Sequence, residues 1–115
     1  MKKLIAGSDV LVENFRPGVL ASIGFDSARL AALNPALVYC NITGFGTSGP
    51  YRDRPSFDFV AQAMSGFMSV TGEPDGAPMR AGPPIGDLVA GLYGALGVCA
   101  APDTVTRSAP VSTTA

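Results

Sequence analysis

DVLVENFRPGVLASIGFDSARLAALNPALVYCNIT, residues 9–43, sets two short apolar runs on either side of a helix-like segment. Residues 9–13 (DVLVE) are rich in β-branched side chains and bounded by Gly7 and Ser8 before and by Asn14, Pro17 and Gly18 after. That pattern reads as a strand running into a functional loop. Residues 27–33 (SARLAAL) join helix-forming alanines and leucines to a cap at Asp26 or Ser27 and a stop at Asn34 and Pro35, so they read as a short helix. Residues 37–43 (LVYCNIT) read as the second strand. Strand, helix and strand with short connections is the unit of α/β folds, whose parallel strands are apolar throughout because helices cover both faces. The spacing therefore predicts an α/β fold with a parallel sheet. Ligands in such sheets bind outside the carboxyl ends of the strands, which singles out the loops at residues 14–18 and 44–49.

Further on, residues 58–70 (DFVAQAMSGFMSV) place Phe59, Ala63, Phe67 and Val70 at helical spacing, with Asp58 available as the cap. Met64 and Met68, one turn apart, read as packing residues. Residues 71–76 (TGEPDG) form a turn cluster, and residues 77–84 are expected to be extended because Pro78, Pro83 and Pro84 oppose helix. Asp87 then opens the last helix. Gly91, Gly94 and Gly97 recur along it, and each costs about 1 kcal/mol against alanine unless a neighbouring backbone approaches closely. Tight packing is the expected reason. From Pro102 the amphipathic pattern ends, so residues 1–101 read as the folded part and residues 102–115 as a disordered tail.

Composition narrows the function. The 115 residues fit one domain at most, and 47% hydrophobic with 15% charged residues is a globular balance. A net charge of -1, with scattered basic residues, offers no stripe for a nucleic-acid backbone. A few isolated arginines still suffice for the phosphates of a small nucleotide. The absence of histidine removes the commonest zinc ligand and every Ser-His or Cys-His arrangement, so no metal site is expected and catalysis must rest on carboxylates. Cys40 and Cys99 lie in apolar runs and read as buried free thiols. The apolar start is too short for a signal-peptide core, and residues 88–101 fall short of a membrane span, so a cytoplasmic protein without a membrane partner is expected.

Three segments in order, DVLVENFRPGVL, YCNITGFGTSGPYRDRPSFDFVAQAMSG and TGEPDGAPMRAGPPIGDLVAGLYGALG, resemble family III CoA-transferases, the group of the formyl-CoA and carnitine CoA-transferases. The resemblance runs from Ala6 to about Ala101. It implies part of a Rossmann-like large domain, truncated at both ends, from an enzyme whose intact chains interlock as a homodimer. It also implies acyl-CoA and a carboxylic acid as substrates, with no tightly bound cofactor.

Asp87 matches the family's nucleophile, an aspartate that attacks the acyl-CoA carbonyl to give a mixed anhydride and then an aspartyl-CoA thioester. A carboxylate needs no general base at neutral pH, and Gly86 would give the backbone room beside a substrate. By spacing alone Asp87 reads first as a helix cap, and the family match is what turns the reading to a nucleophile. Asn14, Phe15 and Arg16 match the loop against the adenosine end of CoA, although Ser22 stands where the family often has a basic residue. Arg54, Pro55, Ser56 and Phe57 match the loop beside the pantetheine arm, and Asp58 matches an acidic position near the nucleophile. Arg52 and Arg54 read equally well as a solvated surface pair.

Two other functions remain open at this level. A 2-methylacyl-CoA racemase of the same fold carries a histidine where this chain has Phe57, and a phenyl ring neither takes nor gives a proton. A non-catalytic remnant or interaction module would use Asp87 only as a cap. The isolated 115 residues are expected to be inactive, because much of the family's active site lies elsewhere in the intact enzyme. Codons for residues 101–107 (APDTVTR), read two bases later, permit Ala-Arg-His-Arg-Asp-Ala, which resembles the basic continuation of the family, so the tail is also expected to be a frameshift product.

Overall fold

Two of the three strands fall where the apolar runs placed them. In the computed structural model β1 (Val10–Glu13), β2 (Val38–Thr43) and β3 (Val111–Thr114) form one parallel sheet in the order β1-β2-β3. The structure describes residues 1–101 and the backbone of 111–114. Val10 pairs with Val38 and Glu13 with Asn41 across the first ladder, and Cys40 with Val111 and Thr43 with Thr114 across the second. The fold is α/β, as expected. The tail reading largely lies outside the described residues, but residues 111–114 are a strand, where no element was expected. Val111 and the threonines suit an extended edge, and there they pair with the edge of β2 that β1 leaves open.

Between β1 and β2 the chain forms α2 (Val19–Ser22) and α3 (Ser27–Leu33), and α1 (Lys2–Ala6) precedes them. Asp26 caps α3 by accepting the Arg29 backbone N–H at 2.7 Å. At the other end Asn34 stitches α3 to the start of the chain, its Nδ2 donating to the carbonyls of Ile5 at 3.2 Å and Ser8 at 2.8 Å. The strand alternation sends Leu11 and Tyr39 toward these helices, where they pack with Phe25 and Leu33 around buried Ile5, Leu20, Leu30 and Leu37. Sequence reading missed α1 and α2, which are too short to show a periodicity.

The opposite face of β2 carries Cys40 and Ile42, and α5 (Ile85–Ala100) lies on it. Gly94 permits that approach: a Cβ there would stand 3.3 Å from Ile42 Cδ1 and 3.5 Å from Cys40 Sγ. Gly91 differs from the packing role expected of it, with nothing within 4 Å of an added Cβ. Cys40 is buried and Cys99 exposed; both thiols are free. The expectation of a buried Cys99 fails because α5 turns that part of its surface to solvent.

A single helix over residues 58–70 is also corrected. The chain forms α4 (Asp58–Met64), breaks at Gly66 with φ 81°, and continues as a 3-10 turn at Phe67–Val70. A left-handed residue cannot extend an α-helix, and glycine takes that conformation without strain. Met64 is exposed, whereas half-buried Met68 accepts the Met79 N–H on its carbonyl at 3.2 Å.

Candidate active site

Glu13, the last residue of β1, organises the loop that follows. Buried at the sheet end, its carboxylate accepts the Phe15 N–H at 2.7 Å, the Tyr39 hydroxyl at 2.8 Å and the Asn41 side-chain amide. Burial and then the Glu13 carboxylate push the Tyr39 hydroxyl well above the ordinary phenol range, and the same two causes raise the Cys40 thiol. Gly18 closes the loop with φ 83° and starts α2. Asn14, Phe15 and Arg16 are thereby held exposed at the carboxyl end of β1.

The loop after β2 reaches the same place from the other side. Gly44 lets it in, because a Cβ on Gly44 would stand 2.1 Å from the Ser56 Cβ. Arg54 lays its guanidinium 4.4 Å over the Tyr51 ring, and Phe57 stacks on Phe59 at 6.1 Å. Arg52 is no partner of Arg54: it pairs with Asp53 at 3.4 Å, and both side chains are exposed.

Asp87 completes the group from α5. It is the third residue of that helix, and the N-cap position belongs to Pro84, which makes no side-chain cap hydrogen bond. The reading of Asp87 as a cap is therefore overturned, since prolines fix the entry to α5 and put the helix start ahead of it. Asp87, Ala90 and Gly91 share one face of α5, at i, i+3 and i+4. That face lines a cavity of about 530 Å³ whose other walls are Asn14, Phe15, Arg16 and Pro17, Ile42, Thr43 and Gly44, and Arg54, Pro55, Ser56 and Phe57. All eight sequence-predicted site residues meet there.

Asp58 is not the cap expected of it. Phe57 holds the N-cap position of α4, and the Asp58 carboxylate turns instead to α5, accepting the Gly86 N–H at 2.8 Å. Gly86 thus makes room for α4 and not for a substrate: a Cβ there would stand 3.2 Å from Asp58 Oδ1 and 3.3 Å from Ala61 Cβ. Sequence reading missed Ile42, Thr43, Ala90 and Gly91 as lining residues; the helical spacing from Asp87 was the available signal for the last two. Among the described residues there is no group of three metal-ligating side chains, and no helix is long and apolar enough to cross a membrane.

A profile of the family described as CoA-transferase family III matches residues 1–108. The chain belongs to CoA-transferase family III. It is 48% identical over 101 residues to the succinate–glutarate CoA-transferase of Agrobacterium fabrum, covering 88% of this chain and 25% of that protein. It is 46% identical over 101 residues to the formyl-CoA:oxalate CoA-transferase of Streptomyces avermitilis, covering 88% of this chain and 24% of that one. Among solved structures, a CAIB/BAIF family protein from Brucella suis matches with a TM-score of 0.83 at 44% identity, over 86% of this chain and 26% of its own. The chain thus spans about a quarter of the length of the CoA-transferases it matches. The two relatives are CoA-transferases, one of succinate and glutarate and one of formyl-CoA and oxalate.

Proposed function

We propose that this chain is a segment of an enzyme that moves CoA between carboxylic acids, with Asp87 as nucleophile and the cavity as part of the CoA-ester site. The observation that carries the reading is the convergence of residues 14–16, residues 54–57 and Asp87, far apart in sequence, on one cavity. Asp87 attacks the thioester carbonyl carbon, the C–S bond breaks, and CoA leaves as thiolate from an aspartyl mixed anhydride. The thiolate then attacks the aspartyl carbonyl, expelling the donor acid as carboxylate and leaving an aspartyl-CoA thioester. The acceptor carboxylate repeats both steps in reverse order and regenerates Asp87. Arg16 and Arg54 supply charge for CoA phosphates, and Phe15 an aromatic face for adenine.

Phe57 favours transfer over α-proton exchange, because it lines the cavity with Asp87 where, among the described residues, no second base does. The non-catalytic alternative loses the N-cap role for Asp87, since Pro84 holds that position and Asp87 stands in the first turn of α5. The donor and acceptor acids are carboxylates in this reading, and the intact enzyme is a homodimer that completes the site.

Asp87→Asn in the full-length enzyme keeps the shape and removes the nucleophile. Transfer should fall by roughly three orders of magnitude or more, and the acyl group that hydroxylamine releases from Asp87 should vanish, while the thermal midpoint stays within a few degrees. Retention of more than about a tenth of wild-type turnover would sink the assignment.

A further inference from the structure

Gln62 is 2% exposed and, with Cys40, one of the two largest fully buried side chains described. A polar side chain in that setting must find partners for both ends of its amide. It does. Its Nε2 donates to Asp58 Oδ2 at 2.7 Å, one helical turn back, and its Oε1 accepts the Ala81 N–H at 2.8 Å. The other oxygen of Asp58 accepts the Gly86 N–H at 2.8 Å. One amide thus ties α4 to the extended segment before α5, and one carboxylate ties α4 to the residue next to Asp87. The side of Gly86 is closed by Asp58 and Ala61, so this turn has no slack on its inner face.

We propose that Gln62 is a positioning residue for Asp87: through Asp58 it fixes the Gly86 backbone and so sets the direction in which the Asp87 carboxylate enters the cavity. The inference rests on the reading of Asp87 as the nucleophile. It follows from the donor and acceptor pattern. Only a side chain with an acceptor at one end and a donor at the other satisfies Ala81 and Asp58 together. An ionised glutamate would face Asp58 carboxylate to carboxylate, whereas a protonated one offers an O–H to Asp58 and a C=O to Ala81, restoring both bonds.

The test uses Gln62→Met and Gln62→Glu in the full-length enzyme, with kcat, KM for the acyl-CoA and the yield of hydroxylamine-released acyl group from Asp87. Gln62→Met should lower kcat about tenfold to hundredfold and the trapped yield with it, with KM changed by less than roughly threefold, because misplacement acts on the reacting atoms and not on the binding loops. Gln62→Glu should be similarly slow at high pH and regain activity as the pH falls and one carboxyl of the pair takes up a proton, a limb absent from the wild-type profile. A purely structural role predicts a lower thermal midpoint, wild-type kcat below it and no such limb; that result overturns the inference. If Gln62→Met does not fold, the pH limb of Gln62→Glu decides alone. Failure of the Asp87 assignment looks different, since wild type itself then releases no acyl group from Asp87, and this inference falls with it.

Discussion

The two halves of the segment differ in how much apolar burial they contribute, although both carry polar networks. Residues 1–43 bury Ile5, Leu20, Leu30 and Leu37 as one cluster beneath β1 and β2. Residues 44–101 bury Gly46, Gln62, Ala90 and Gly94, while Phe57, Val70, Leu92, Tyr93 and Leu96 are exposed. The first half is a small hydrophobic core with a loop at its rim. The second half is placed by hydrogen bonds and by backbones that approach closely at Gly44, Gly86 and Gly94. Apolar burial is non-directional and tolerates small shifts, whereas a two-ended amide or a contact without a Cβ holds one geometry. The contrast assigns stability to the sheet side and alignment of Asp87 to the helical side.

Truncation at matched residues tests that contrast most directly. Leu30 is 2% exposed in the first half and Leu92 is 65% exposed on α5. Leu30→Ala should lose about 2–5 kcal/mol of stability, from lost transfer energy and the cavity left behind, whereas Leu92→Ala should stay within about 0.5 kcal/mol. Urea denaturation of this chain reads both. Equal losses at the two positions would break the comparison.

Gly44→Ala probes the second half where its loop meets the sheet. The new Cβ overlaps the Ser56 Cβ, so residues 54–57 must shift outward at about 1–3 kcal/mol and carry Arg54 and Phe57 away from the cavity. The affinity of the full-length enzyme for a CoA ester should drop with it. Ser56→Gly removes the opposing Cβ, so the double variant should regain most of the loss in a double-mutant cycle. Additive losses would show that the close approach does not hold the loop.

Much of the first half was legible because its signals are local. DVLVE and LVYCNIT are apolar runs with turn residues at each end, and Asp26 sits one residue before a helix-forming segment. The site loops were legible for a further reason, since they follow strand ends and carry motif residues. Contacts between distant segments were not legible. No local pattern says that Asp58 will bond to Gly86 instead of capping α4, or that Gly86 faces α4. Gln62 did leave a trace, as a polar residue inside an otherwise apolar helical stretch, DFVAQAM. The break at Gly66 was masked by apolar spacing that continues past it, because periodicity records faces and not backbone angles.

Tyr39 gives the finest test of the sheet side, because it joins that core to the Glu13 carboxylate that holds the first site loop. Burial, then the hydrogen bond to Glu13, raises its pKa above the ordinary value near 10, so the folded chain keeps the phenol protonated where the unfolded chain has begun to lose its proton. A raised folded pKa means that the stabilisation is complete below the unfolded pKa and is lost as the pH rises beyond it. Tyr39→Phe should therefore lose about 1 kcal/mol near neutral pH, the worth of one hydrogen bond, and the gap to wild type should narrow as the pH climbs above about 10. Cys40 also has a raised pKa, but it is present in both proteins, and its contribution largely cancels in the difference. Urea midpoints of the two proteins between about pH 7 and about pH 11 measure the gap. A gap that stays constant across that range would mean that the Tyr39 hydroxyl is as accessible to base when folded as when unfolded, and that the polar end of the sheet is open to water and not sealed against the core.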